Sequence, residues 1–327
     1  MLRREFMTLL GGAVTTSSRA AHAEKPTIPV IGYLAAASQQ PNLPFTAAFI
    51  RGLVETGFTE GRDFVVDYRW ADGNLDRLPG LAAELVSDRV AVIFASGGMV
   101  SSRAAMQATS SIPIVFSIGD DPVRLGLVSS ITRPTGNVTG VTFNFTVLGA
   151  KRWELLHEMV PKVGIVAVLV ASDSATSILE GRQVEEVAST NGRQALIFSV
   201  RTGSGIESAF ANSIEQHADA LLVTGSPFFG QERAQIVTLA ARHSLPAIYY
   251  EREFVVAGGL MSYGAPLRDN YHQAGVYVGR LLKGAKPSDL PIVQGTKIEL
   301  VINLKTAKQL NLSVPLTMQM TADEVIE

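Results

Sequence analysis

The chain contains no cysteine, which excludes a disulfide framework, thiolate metal sites, a cysteine nucleophile and a lipid-modified N-terminal cysteine. Charge is also sparse. Acidic and basic residues make up 18% of the 327 positions, the formal net charge is −2, and no Lys/Arg block stands out. Nucleic-acid binding needs a concentrated basic footprint, so no nucleic-acid partner is expected. The usual enzyme signatures are missing too: no G-x-G-x-x-G follows the first strand, and no G-x-x-x-x-G-K-[ST], H-E-x-x-H or G-x-S-x-G occurs. Of the five histidines, His22, His157, His217, His243 and His272, none pairs with a second ligand at metal spacing. No cofactor, metal or catalytic residue is therefore expected.

What is present is an ordinary globular balance, 46% hydrophobic, in a chain long enough for two domains. The N-terminus carries an address. Arg3-Arg4-Glu5-Phe6 precedes a short apolar run to Val14, and Ala21-His22-Ala23 forms a cleavage pattern before Glu24. Arg-Arg-x-Phe is the core of a bacterial twin-arginine signal, read by a receptor. The run is shorter than the roughly 20 apolar residues a membrane span needs. Residues 1–23 are expected to be a removed signal peptide, leaving a periplasmic protein.

Beyond the signal, strand and helix patterns alternate without hairpin signals. Val30 to Ala35 reads as a buried strand, and Phe45, Phe49 and Leu53 line one face of a following helix. Strands at Phe64 to Trp70, Val90 to Ala95 and Ile114 to Phe116 continue the plan. The second half repeats it with Gly164 to Val170, Ala195 to Val200, Ala220 to Val223 and Ala247 to Tyr250. Parallel βαβ units covered on both faces follow. An internal echo suggests duplication: Ser111-Ile112-Pro113-Ile114-Val115-Phe116 resembles Ser244-Leu245-Pro246-Ala247-Ile248-Tyr249, and the strands before them also match. The expected fold is α/β, two similar Rossmann-like lobes, each a parallel sheet flanked by helices.

Open α/β sheets keep ligands at the carboxyl ends of their strands. Ser117 to Asp121 ends one strand in small residues and two carboxylates. One of Asp120 and Asp121 is expected to cap a helix starting at Pro122; the other is left to face a cleft and hold a ligand ammonium or hydroxyl. Ser96-Gly97-Gly98 opens a helix whose free N–H groups favour a carboxylate or phosphate, or is a tight turn without ligand. Thr224-Gly225-Ser226 carries the same two readings. Tyr249, Tyr250 and Tyr263 end late strands, as stacking surfaces or core.

These features together resemble the periplasmic substrate-binding proteins of ABC transporters with the type I fold, in the subgroup related to tryptophan and branched-chain amino acid binding proteins. The resemblance rests on the signal, Ile31-Gly32-Tyr33-Leu34, and Phe58-Thr59-Glu60-Gly61-Arg62-Asp63 before Tyr68-Arg69-Trp70. Asp121-Pro122-Val123 through Gly126-Leu127-Val128, Thr135-Gly136-Asn137-Val138-Thr139-Gly140 and Asn303-Leu304-Lys305-Thr306-Ala307 extend it. It implies two lobes joined by three crossovers, closing on a small ligand delivered to an inner-membrane permease. It places the cleft loops at Ser38, Gln39, Ser96, Gly97, Gly98, Ser117, Asp120, Ser172, Asp173, Thr224, Gly225, Tyr249, Tyr250 and Tyr263. Lobe 1 is expected over 28–143 plus about 264–292, and lobe 2 over 144–263 plus about 293–327. The expected ligand is an amino acid or an aromatic or carboxylic acid. Two other classes stay open: an exported α/β hydrolase or lyase using Asp120 or Asp121, and a ligand-sensing protein of a signalling system.

Overall fold

A computed structural model describes residues 28–143 and 148–327; the expected signal peptide lies outside them. The first lobe begins with β1 (Val30–Ala35), α1 (Gln39–Glu55), β2 (Val65–Trp70), α2 (Leu78–Ser87), β3 (Val92–Ser96), α3 (Met99–Ala108), β4 (Ile114–Ile118) and β5 (Val138–Phe143). The chain crosses after Phe143 into the second lobe. There α4 (Gly149–Met159), β6 (Ile165–Ala171), α5 (Ala175–Thr190), β7 (Gln194–Val200), α6 (Gly203–Glu215) and β8 (Ala220–Val223) are followed by α7 (Pro227–Gln231), α8 (Arg233–Arg242), β9 (Ala247–Tyr249), α9 (Arg252–Val256) and β10 (Met261–Gly264). It returns through α10 (Leu267–Leu282) and β11 (Val293–Gly295), then ends with β12 (Glu299–Asn303), α11 (Leu304–Gln309), α12 (Leu316–Thr321) and β13 (Glu324–Ile326).

Two separate sheets result. The first has order β11-β5-β4-β3-β1-β2 and is wholly parallel. The second has order β13-β12-β10-β9-β8-β6-β7 and is parallel except where β10 meets β12. Their central strands read as near-continuous apolar runs because helices cover both faces; β3 and β4 are buried at every position. The expected α/β fold with two similar lobes is what the chain adopts.

Two local expectations differ. Val293–Gly295 pairs with β5 in the first sheet, so the last crossing falls after Gly295 and not near 293. This three-residue edge strand is too short for an alternating pattern to announce it. No helix starts at Pro122. Residues there form a single turn, with Leu125 N–H donating to Asp121 O at 3.0 Å and Leu127 N–H to Pro122 O at 2.9 Å.

The first core centres on Tyr33, whose ring meets Phe49, Tyr68, Trp70 and Phe94 at centroid distances of 5.0 to 5.6 Å. Helix α10 returns to this lobe and crosses α1 through glycines. A Cβ on Gly52 would lie 1.9 Å from the His272 carbonyl oxygen, and one on Gly275 would lie 2.0 Å from that of Phe49. That backbone contact seats Tyr271 over the first sheet. One apolar cluster continues from Phe45 and Tyr271 to Phe229 and Tyr250 of the second lobe. Among the described residues, no helix is long and apolar enough to cross a membrane.

Candidate functional site

Both sheets point their carboxyl ends at one cavity of about 190 Å³ between the lobes. Lobe 1 contributes Ala36, Ala37, Gly97, Gly98, Ser117 and Asp120; lobe 2 contributes Asp173, Thr176, Arg201, Gly225, Tyr250 and Glu251. Phe45 and Tyr271, stacked at 5.1 Å, supply an aromatic wall. Tyr271 is fixed from behind by a 2.8 Å hydrogen bond between its hydroxyl and Ser96 Oγ, and burial pushes its phenol up to about 12.

The two lobes touch through polar contacts. Thr176 Oγ1 donates to Asp120 Oδ2 at 3.0 Å. Arg233 Nη2 donates to the Pro41 carbonyl at 2.8 Å. The cleft is thus closed. Asp120 is also bound by the Arg124 guanidinium, and its Oδ1 accepts from the Asp121 N–H at 2.6 Å. Asp121 instead accepts from the N–H groups of Val123 at 2.8 Å and Arg124 at 3.3 Å. The choice between the two carboxylates is resolved by this turn: Asp121 caps it, and Asp120 lies in the cavity wall.

Of the expected cleft residues, Gly97, Gly98, Ser117, Asp120, Asp173, Gly225 and Tyr250 line the cavity. Ser38, Gln39, Ser96, Ser172, Thr224, Tyr249 and Tyr263 do not. Most belong to adjacent pairs at strand ends, where successive side chains take opposite faces. Ser96 supports Tyr271 from behind. Thr224 turns its hydroxyl to the Leu169 carbonyl at 2.7 Å. Tyr249 stacks on Phe254 at 4.6 Å in the core. Ser172 is exposed, with its N–H on the Val200 carbonyl at 3.0 Å. Ser38 and Gln39 sit at the start of α1, Gln39 exposed. Tyr263 offers only its carbonyl, to Arg152 Nε at 2.7 Å.

Glu251, Arg233, Tyr271, Thr176 and Phe45 line the cavity without being among the expected cleft residues; Phe45 is marked in the sequence only as part of a helix face. A carboxylate directly after a strand-end tyrosine was a usable signal for Glu251. Nothing local marks Arg233, whose partner Pro41 is far off in the chain. Burial and the neighbouring Glu253 push the Glu251 carboxyl up to about 8, against the opposing pull of Arg233.

Behind the lobe 2 wall lies a fully buried ion pair between Arg152 and Glu180. Glu180 Oε2 accepts from the Gly225 N–H at 2.9 Å, which fixes the β8 loop. Burial disfavours the Arg152 cation; the paired carboxylate keeps it charged. Among the described residues, no group of three or more His, Asp or Glu could hold a metal ion.

A two-lobed α/β chain whose lobes both line one cavity has the architecture of a cleft-type ligand-binding protein. Residues 38–326 match the family model described as ABC transporter substrate binding protein. The chain belongs to that family: it is a ligand-binding transport protein, not an enzyme. A tyrosine-binding protein of Clostridioides difficile (strain R20291) is 26% identical over 264 residues, covering 81% of this chain and 75% of that protein. Among solved structures, an ABC domain in complex with L-Trp from Streptococcus pneumonia is 24% identical with a TM-score of 0.80, covering 90% of this chain and all of the other. A conserved domain protein from Vibrio cholerae is 22% identical with a TM-score of 0.83, covering 91% of this chain and all of the other. Proteins of this family work outside the cytoplasm.

Proposed function

We propose that the chain is the periplasmic receptor of an ABC importer, capturing an aromatic amino acid in its closed cleft and handing it to an inner-membrane permease. The observation that carries this reading is the chemistry of the lobe 1 wall. Helix α3 starts at Gly98 with no side-chain cap, so its first-turn N–H groups and positive dipole end are open to a carboxylate. Beside it, Ser117 Oγ lines the cavity, buried and without a hydrogen-bond partner. A ligand carboxylate satisfies both. The apolar body of the ligand then lies against Phe45 and Tyr271, and Gly97 and Gly98 leave room for close approach.

The tyrosine-binding relative and the tryptophan-bound structural neighbour support the ligand class. The Arg3-Arg4 signal supports export by the twin-arginine route, with residues 1–23 removed. Lobe 1 is taken as 28–143 with 265–295, and lobe 2 as 148–264 with 299–327.

The test is a thermal-shift screen with amino acids and their amine-free analogues. A ligand at 100 times its Kd stabilises the folded form by about 2.7 kcal/mol, a shift of several degrees. L-Tyrosine or L-tryptophan is expected to raise the melting temperature most. No shift with any aromatic amino acid overturns the reading.

A further inference from the structure

We propose that Arg152 and Glu180 are positioning residues that join the lobe 2 wall of the cleft to the hinge, so that wall and crossovers move as one body when the lobes close. The pair lies behind the wall and acts through the main chain it holds. Only the choice of probes below rests on the amino acid reading of the cleft.

Both side chains are fully buried, and among the described residues Arg152 is the largest that is. A buried ion pair adds little net stability over a well-packed apolar pair of similar volume, so packing alone does not account for it. Directional bonds to main-chain groups are what an apolar pair cannot make, and these bonds run to two places. Glu180 Oε2 accepts from the Gly225 N–H at 2.9 Å, just past the end of β8, where the chain becomes cavity wall. Arg152 Nε donates to the Tyr263 carbonyl at 2.7 Å, one residue before β10 ends and the chain crosses back to lobe 1. That crossover is itself pressed against the wall: a Cβ on Gly264 would lie 1.9 Å from the carbonyl oxygen of Tyr250. The first crossover also lands on the pair, since a Cβ on Gly149 at the start of α4 would lie 3.0 Å from Glu180 Cγ.

Helix α5 carries the connection on to lobe 1. Ser177 and Glu180 are three residues apart on one face, and both are buried. Ser177 Oγ accepts from the Ala171 N–H at 2.8 Å and shares a hydrogen bond with Thr224 Oγ1. One residue earlier, Thr176 donates across the cleft to Asp120 at 3.0 Å. A Cβ on Gly181 would lie 2.6 Å from Val170 Cγ2, so α5 sits too close to β6 to slide on its own. Contacts therefore run without a break from Asp120, through the first two turns of α5, to the lobe 2 ends of two crossovers. Hinge closure works through such a unit. A wall loop detached from the crossover would have to be ordered on binding, which weakens affinity.

Coupling of this kind is tested by measuring both ends. The experiment uses the full chain and two double variants, R152M/E180L and R152M/E180Q. Neither leaves an orphaned charge, and only the second keeps an oxygen for the Gly225 N–H. Urea unfolding first establishes that each is folded. Calorimetric titration with L-tyrosine and L-tryptophan is expected to show R152M/E180L binding about tenfold more weakly than wild type, the worth of a hydrogen bond to a charged group. R152M/E180Q is expected to recover part of that loss. In hydrogen exchange, saturating ligand is expected to protect Gly225 together with the crossover amides of Gly264, Ala265 and Leu267 in wild type. In R152M/E180Q it is expected to protect Gly225 alone, a comparison that stands even if R152M/E180L does not fold. A pair that only stabilises the fold would lower the unfolding midpoint and leave affinity unchanged. That result overturns the proposal, as does equal weakening in both variants or a crossover still protected by ligand in R152M/E180Q. Wild type that binds neither probe overturns the amino acid reading instead, and the unliganded chain then decides. Gly225 and the crossover amides should exchange faster together in R152M/E180L; faster exchange at one end alone, or at neither, overturns the proposal.

Discussion

The two lobes share a fold but finish their cleft edges differently. On lobe 1, helices α1 and α3 both begin without a side-chain cap. On lobe 2, Ser174 accepts from the Ser177 N–H at the start of α5, Thr202 from Gly205 at α6, and Ser226 from Phe228 at α7. α9, directly after Glu251, begins uncapped, as do α4, α8 and α12. Lobe 1 therefore presents the open starts of α1 and α3, while lobe 2 closes the starts of α5, α6 and α7 from within and presents a carboxylate. The lesson is one of complementarity. Two copies of one βα plan become a binding site when one keeps its helix starts open and the other closes its own.

The largest effect should come from breaking the internal frame of lobe 2. Arg152→Met leaves Glu180 fully buried without its cation, a change that costs about 3–5 kcal/mol. Urea unfolding should show that loss, with hydrogen exchange rising in lobe 2 and not in lobe 1. Adding Glu180→Leu removes the orphaned charge and should recover most of the stability. It should not restore the Gly225 loop, which has lost its acceptor. A single mutant within about 1 kcal/mol of wild type would show that lobe 2 is not framed by this pair.

Gly97→Ala strikes the open edge of lobe 1 instead. Gly97 holds φ at +95°, and an added Cβ would sit 2.8 Å from Ala36 Cβ and 3.0 Å from Ala36 N. The left-handed backbone alone costs about 1–2 kcal/mol for an L-residue, and Ala36 must also shift. The melting temperature should fall, and ligand affinity should fall further than stability predicts because the α3 start is displaced. Unchanged affinity would place the ligand carboxylate elsewhere. Thr176→Val is milder. It removes the hydroxyl that lobe 2 donates to Asp120 at 3.0 Å, worth about 1 kcal/mol. The loss is confined to the closed form, so ligand dissociation should quicken roughly fivefold while unliganded stability holds. Equal loss of stability without ligand would show that the contact does not report closure.

Much of this was legible in the chain. Continuous apolar runs such as Ile165–Ala171, short and rich in β-branched residues, read as buried strands, and the strand-end residues Gly97, Asp120, Gly225 and Tyr250 do reach the cavity. Pattern alone could not tell which member of each adjacent pair faces inward. The pleat decides that, and it sent Ser96, Thr224 and Tyr249 the other way. Arg233 and Tyr271 were hidden for a different reason. Both act on residues distant in sequence, Pro41 and Ser96, so their roles arise from lobe closure and the return of α10. The capping of Asp121 was visible as chemistry, but the element it caps is a turn and not a helix, because the chain turns away after Leu125.

The smallest effect lies at the outer edge of lobe 2, where Arg252 at the start of α9 grips Glu324 of β13 through two hydrogen bonds of 2.6 Å. The Arg252 guanidinium holds the Glu324 carboxyl below its usual value. A depressed carboxyl contributes stability that is fully present above its unfolded value and is lost as pH falls through the folded one. The Glu324 side chain is 39% exposed, so solvent screening limits the contribution to less than about 1 kcal/mol. Melting curves of wild type and Glu324→Gln should differ slightly at pH 7 and converge as pH drops into the acid range. Lobe 1 offers a contrast in Arg62 and Asp63, neighbours in sequence that pair at 2.8 Å with the arginine side chain 72% exposed; because that pair ties no two elements together, Asp63→Asn should move the same curves less. If both variants behave alike, the edge of lobe 2 is no more firmly closed than that of lobe 1, and the difference between the lobes is confined to the cleft.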